Sequence, residues 1–315
     1  MKPFARILAA TDLSAPARHA LDRGFRIAAA TGARYSVMHA LDLDLLDALR
    51  DWLGEESDNV KRKLGDQARD ELSRLLADPA RNHGVIAEST IVAGTPLTTI
   101  PAQADAINAD LLILGARGND FLRHLLLGTT ASRLLRKVAR RAVLVVKQPS
   151  HEAYRRLLIP VDFSPVSARA TEFARQLAPT AEIFLLHAFE APFEGKLAFA
   201  GVEDDVMQRY RAATREDAMR RMRHLADMAG LATGDYTPLA AHGDPSQQAI
   251  VFEQELGCDL IVMGKHGKHV TEELLLGSVT KHVLAESQCD VLVIGDGKEP
   301  VAMADHAKAK VTRPM

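Results

Sequence analysis

Only two cysteines, Cys258 and Cys289, occur in 315 residues, which excludes a disulfide framework and agrees with a reducing compartment. Aromatic residues are scarce at 5%, and the single tryptophan, Trp52, makes no stacking platform for bases. No apolar run is long enough to span a bilayer, and no secretory segment precedes the first strand pattern. The expected location is the cytoplasm, with no membrane contact. A surplus of charge is missing as well: the net charge of −2 gives no bulk electrostatic case for nucleic acid or an anionic surface. Familiar catalytic and nucleotide loops are also absent. There is no Gly-x4-Gly-Lys-Ser/Thr, no Gly-x-Gly-x-x-Gly after a first strand, no Ser-Gly-Gly-x-Asp-Ser and no Gly-x-Ser-x-Gly elbow. What is present, 47% hydrophobic and 25% charged residues, is enough for two globular domains, each with its own core.

The chain repeats itself. Arg6-Ile-Leu-Ala-Ala-Thr-Asp12-Leu-Ser14 returns as Arg156-Leu-Leu-Ile-Pro-Val-Asp162-Phe-Ser164, an offset of 150. His39-Ala40 returns as His187-Ala188 at 148, and Gly94-Thr-Pro96 as Gly243-Asp-Pro245 at 149. One unit has been duplicated in tandem. The expected domains are 1–149 and 150–297, joined around Gln148–Tyr154, with 298–315 as a tail lacking apolar periodicity.

Short apolar runs alternate with amphipathic stretches in each half. Strands are expected near 5–10, 35–40, 86–92, 111–115 and 142–147, then near 156–161, 182–187, 235–241, 259–263 and 290–294. Helices of the first half are expected near 15–31, 44–77, 96–108 and 128–139. Such alternation specifies right-handed βαβ units and parallel sheets covered on both faces, an α/β class. Ser14 and Ser164 read as caps with proline just behind, and Thr95-Pro96 and Asp244-Pro245 as cap-then-proline pairs.

Two loops share one spacing. Leu111-Leu-Ile-Leu-Gly115-Ala-Arg117-Gly118 is followed after nine residues by Gly128-Thr129-Thr130; Leu260-Ile-Val-Met-Gly264-Lys265-His-Gly267 is followed after nine by Gly277-Ser278-Val279. Glycines let backbone N–H groups approach an anion, and a helix opening at the last glycine aims its free amides and positive dipole end at the same point. In a doubly wound sheet, ligands sit beyond the carboxyl ends of the strands. Those ends carry Thr11-Asp12-Leu13, Val161-Asp162-Phe163, the two His-Ala steps and the two glycine loops. An acidic residue beside an apolar slot, with a phosphate cradle further along, suits a nucleotide.

With these residues the chain resembles a tandem universal stress protein, over nearly all of both halves. The resemblance rests on Gly-x2-Gly-x9-Gly-Ser/Thr, intact as Gly115/Gly118/Gly128/Thr129 and Gly264/Gly267/Gly277/Ser278. It implies two doubly wound, five-stranded parallel sheets of order 3-2-1-4-5, related by a pseudo-two-fold axis and similar to the adenine nucleotide alpha-hydrolase fold. It further implies ATP, AMP or ADP at each motif. Asp12 and Asp162 would line the adenosine end, with the backbone of Ala40 and Ala188 at the adenine edge; the glycines and Thr129 or Ser278 would hold ribose and phosphates.

Several side chains keep two readings open. Arg117, Arg123, His124, Lys265, His266, Lys268 and His269 either meet phosphate or face water, and Glu272 and Glu273 either serve Mg2+ or face water. His39 and His187 read as packed or hydrogen-bonded rather than catalytic. The histidines at 266, 269 and 282 lack a partner with metal-ligand spacing, so no metal site is assigned. Cys258 and Cys289 read as buried small hydrophobes rather than a redox pair. No catalytic residue is assigned. Three functions stay in play: a nucleotide-responsive regulator with an unidentified protein partner, a slow ATPase or phosphotransfer enzyme, and a nucleotide-independent scaffold. The last strand of each half would lie at a sheet edge, an association hazard unless paired. The two edges are expected to pair antiparallel within the chain as a pseudo-dimer, and a further homodimer stays open.

Overall fold

A computed structural model of the chain describes residues 4–42, 56–117, 127–138, 141–189, 199–267 and 276–295. In the first half, β1 (Arg6–Thr11), α1 (Ala15–Thr31), β2 (Arg34–Leu41), α2 (Glu56–Ala77) and the short α3 (Pro79–Asn82) lead to β3 (Ala87–Ala93), α4 (Pro96–Ala106), β4 (Leu111–Gly115), α5 (Thr129–Lys137) and β5 (Ala142–Val146). The second half repeats this as β6 (Arg156–Pro160), α6 (Pro165–Leu177), β7 (Glu182–Phe189), α7 (Asp204–Met228), β8 (Tyr236–His242), α8 (Pro245–Leu256), β9 (Leu260–Gly264), α9 (Ser278–Glu286) and β10 (Asp290–Ile294). Residues 44–55 of the long expected helix, and the expected tail, lie outside the described residues.

The expected order 3-2-1-4-5 holds in each half, but the number of strands per sheet does not. The strands form one ten-stranded sheet, β3-β2-β1-β4-β5-β10-β9-β6-β7-β8. Every neighbouring pair is parallel except β5 and β10, which run antiparallel with Val145, Leu144 and Val143 opposite Val291, Leu292 and Val293. Leu144 thus faces its own repeat counterpart, so the pseudo-two-fold axis passes through that pair. The join follows from composition. Both strands are wholly apolar apart from Asp290 at the start of β10, and an unpaired ladder edge of that kind is costly to leave in water.

Central strands are buried on both faces rather than alternately: Ile7, Leu8 and Ala9 of β1 are all inaccessible, as are Leu157, Leu158 and Ile159 of β6. Helix starts follow the sequence with one exception. Ser14 and Ser164 accept from Ala17 N and Ser167 N, and Asp244 accepts from Ser246 N and Gln247 N. Thr95 occupies the cap position of α4 but makes no side-chain cap bond; its hydroxyl bonds to Thr98 Oγ1 instead. Cys258 and Cys289 are free and buried, and burial pushes the Cys258 thiol up to about 12, as expected of small core residues. Among the described residues, no helix is long and apolar enough to cross a membrane.

A buried polar clasp closes one end of the seam. Asp290, fully inaccessible, accepts from Lys147 N (2.8 Å), Gln148 N (3.2 Å) and the Tyr154 hydroxyl (2.7 Å). Arg23 of α1 approaches it to 3.3 Å, lies 3.9 Å over the Tyr154 ring and donates to Glu152 O. One carboxylate thereby ties the first helix, the linker and the last strand together. Burial raises its carboxyl pKa, while the guanidinium, phenol and amides pull the other way.

Two lysines cross the seam in opposite directions. Lys147, just after β5, donates to Leu284 O, Ser287 O and Ser287 Oγ at the C-terminal end of α9. Lys265, just after β9, donates to Arg136 O at the C-terminal end of α5. Each ammonium meets carbonyls that the helix cannot satisfy, at the negative end of its dipole.

Two outcomes are expected. Asp290→Ala leaves Arg23 charged and unpaired in the seam, which costs about 3–5 kcal/mol, read from urea unfolding. Desolvation lowers Lys147 from 10.5 to about 8. Between those values the folded chain has released a proton that the unfolded chain still holds, so the burial cost is relieved as pH rises. The stability of the wild type relative to Lys147→Met should therefore increase across that window and stay flat below it, as urea midpoints at successive pH values will show.

Candidate functional site

The sheet places the motif residues at its carboxyl edge, once in each half. In the first half, the register sets Thr11 beside His39 and Ala10 beside Leu114, so Asp12 emerges next to Ala40 and close to Gly115. His39 Nδ1 donates to Thr11 O at 2.8 Å, which fixes the ring as a structural tie between β1 and β2. Leu13 adopts a positive φ of 64°, with its N–H on Thr11 Oγ1 and Ser14 N on Asp12 Oδ1. The second half repeats the turn: His187 Nδ1 donates to Val161 O at 2.8 Å, Phe163 has φ 63°, and Ser164 N donates to Asp162 Oδ1. The histidines expected to be hydrogen-bonded are so.

The glycine loops close in the same way in both copies. Gly128 N donates to Ala116 O at 2.7 Å, and Gly277 N to Lys265 O at 2.9 Å. Ala116 N and Lys265 N are in turn bonded to Val146 O and Ile294 O. Gly128 and Gly277 are the residues before α5 and α9, and the first intrahelical bonds come from Ser132 N and Lys281 N. The amides of Thr129 and Thr130, and of Ser278 and Val279, therefore have no acceptor within their helices and point out of its N-terminus. Space for a side chain is tight here. A Cβ on Gly115 would lie 3.2 Å from Arg117 O, on Gly128 3.2 Å from Ala116 O, and on Gly277 3.2 Å from His266 Cα.

In the second half these parts enclose a cavity of about 260 Å³. Val161 and Asp162 from the β6 end, His187 and Ala188 from β7, and Gly264, Gly267, Gly277, Ser278 and Val279 from the glycine loop all line it. Asp162 Oδ2 faces Gly267 so closely that a Cβ there would sit 3.1 Å away. The fit is consistent with one acceptor at one end of the slot and helix amides at the other. Sequence reading missed Ser167, Pro245, Met263 and Thr280, which also line the cavity. Their signals are slight: Ser167 is one residue in the first turn of α6, and Thr280 shows its role only through its hydroxyl bond to Gly264 O. His266, weighed above as a phosphate contact, lines the cavity as well.

Lys265 is a correction. Its side chain is 1% exposed and turned away from the cavity toward Arg136 O, so it offers no charge to a ligand in this crevice. The physical reason is position: its counterpart Ala116 is buried at 3%, and the side chain at this point of the loop enters the seam rather than the slot. Phe163 stands behind His187, its ring 4.3 Å from the imidazole, outside the residues that line the cavity. In the first half Arg117 and Thr129 are exposed. Gly118, Arg123, His124, Lys268, His269, Glu272 and Glu273 lie outside the described residues. Among the described residues no cluster of three metal-ligating side chains occurs.

Comparison with known proteins matches this duplication. A family model described as the universal stress protein family fits residues 3–147 and again residues 153–295. Universal stress protein MJ0531 of Methanocaldococcus jannaschii is 30% identical over 149 residues, covering 46% of this chain and 85% of its own. MJ0577 of the same organism is 27% identical over 153 residues, 45% and 94% of the two chains. Among solved structures, a universal stress protein from Archaeoglobus fulgidus superposes with a TM-score of 0.63 at 19% identity, covering 92% of this chain and 98% of that one. A functionally unknown protein, PA1789 from Pseudomonas aeruginosa, gives 0.60 at 17%, covering 93% of each. At these identities the superpositions establish the fold.

The loop geometry predicts opposite signs for two glycine substitutions. Gly277→Ala presses a methyl on the loop backbone and should cost about 1–3 kcal/mol. Gly65→Ala, inside α2 with only the Arg69 side chain near at 3.6 Å, should stabilise by about 0.5–1 kcal/mol. Thermal or urea unfolding of the two variants reads both.

Proposed function

The chain belongs to the universal stress protein family, and on that premise we propose that it binds an adenine nucleotide in each half and acts as a nucleotide-responsive regulator. The observation that carries this reading is the second-half cavity. One slot brings together an acidic residue after the first strand, a glycine loop with little room for side chains, and the open N-terminus of α9. Its volume of about 260 Å³ falls just below the range of ligand pockets, about 300–1,000 Å³, and suits a mononucleotide better than a dinucleotide.

The proposed contacts are Asp162 and the Ala188 backbone for the adenosine end, and Gly264, Gly267, Gly277, Ser278 and Val279 for ribose and phosphates. The equivalent first-half set is Thr11, Asp12, Leu13, Ala40, Gly115, Arg117, Gly118, Gly128, Thr129 and Thr130. ATP is the favoured ligand, with AMP or ADP as alternatives and Mg2+ accompanying the triphosphate. Binding orders the glycine loops, and a protein partner in the cytoplasm reads the ordered surface.

Equilibrium dialysis against ATP and AMP tests the proposal. Two equivalents per chain are expected for the intact protein, and one for Gly267→Val, whose side chain would fill the space between the loop and Asp162. Absence of bound nucleotide at millimolar ligand removes the reading.

A further inference from the structure

A second cavity lies at the far end of the second half from the glycine loop. Cys258 and Asp259 stand just before β9, and Gln288 and Cys289 just before β10, so it opens at the amino ends of these strands, against the linker. It shares no residue with the nucleotide cavity. Its volume of about 460 Å³ is that of a small-molecule pocket.

Glu253, in the last turn of α8, lines this cavity and is 3% exposed. Its Oε1 accepts from Gln288 N at 2.8 Å and from Cys289 N at 2.7 Å. Its Oε2 is shielded from solvent and has no hydrogen-bond partner among the described residues. The other charges of the wall are committed elsewhere. Arg23 lies against Asp290 and donates to Glu152 O, Arg155 pairs with the Glu152 carboxylate at 3.2 Å, and the Asp259 oxygens accept from the amides of Arg155 and Arg156. Lys147 feels the charge of Glu253, but its ammonium is held by Leu284 O, Ser287 O and Ser287 Oγ. A buried carboxylate oxygen without a donor is costly, and the C-terminal end of α8 adds the negative pole of its dipole at the same place. Burial, and after it the Glu253 carboxylate, hold the Cys289 thiol well above its usual value, so it stays neutral.

We propose that this cavity binds a small organic cation, a primary ammonium on an aliphatic stem, which donates to Glu253 Oε2. The free oxygen selects the head group. A guanidinium fork engages both oxygens of a carboxylate, and here Oε1 is already taken by two amides; an ammonium is a point charge and needs only one. Pro149, Ala153 and the two neutral thiols of Cys258 and Cys289 give the stem an apolar wall. The site stands independently of the nucleotide reading.

Titration of the isotope-labelled full chain with n-butylammonium chloride is the test, followed by NMR at the amides of Gln288 and Cys289, which carry the Glu253 bonds. Saturable shifts at those amides are expected, half complete at about millimolar ligand. Glu253→Gln keeps an oxygen for the two amides and places its own N–H groups at the other position. It should preserve the fold, seen as an otherwise unchanged spectrum, and weaken binding by about tenfold or more. Ala153→Phe, at an exposed linker position, should narrow the cavity and weaken binding with the carboxylate still in place. Four results overturn the proposal: no shift at those amides, wild-type affinity in either variant, n-butylguanidinium binding as tightly as n-butylammonium, or ammonium chloride alone doing as well.

Discussion

The antiparallel ladder between β5 and β10 is the constraint on which the rest depends. Five-stranded sheets of this order end in a strand that is apolar along most of its length and carries a row of unpaired amides and carbonyls. In one chain holding two copies, each edge satisfies the other, and Leu144 faces Leu292 across the axis. The same contact fixes everything nearby. It sets the two carboxyl edges in opposite directions. It also brings the last helix of each half within reach of a lysine from the other.

Those last helices are used at both ends. At their N-termini, α5 and α9 present free amides beside the glycine loops; at their C-termini, Lys265 and Lys147 satisfy carbonyls across the seam. The macrodipole makes the two arrangements mutually supportive, since a cation at one end and an anion at the other both lower the helix's electrostatic energy. Lys265 sits between two loop glycines, so one residue closes the second glycine loop through its carbonyl and reaches the first half through its ammonium.

Much of this was legible in the amino-acid sequence because it is written in periodicity and glycine. The repeat offset and the caps at Ser14, Ser164 and Asp244 follow from local patterns, whereas the strand order is implied by the family resemblance and the pairing of the two edges by the duplication. The direction of a side chain at a loop is not local. Lys265, beside Gly264 in an anion-binding motif, reads as a phosphate ligand until the seam is seen; the one pointer to its burial is its counterpart Ala116, a residue suited to the interior. Ser167 was invisible for the opposite reason. A serine one turn into a helix has no spacing signature, and its role exists only because α6 begins directly after the turn that carries Asp162. Thr95 shows that a good capping residue in the right place can still spend its hydroxyl elsewhere.

The Arg23–Asp290 clasp has an evolutionary corollary. Repeat alignment puts Phe173 where Arg23 stands and Ala142 where Asp290 stands. A first half paired with a copy of itself would set Arg23 against alanine, and a second half so paired would set Asp290 against phenylalanine. Either like-with-like assembly would strand a charge in the seam, at about 3–5 kcal/mol, so the two halves are complementary parts rather than interchangeable ones.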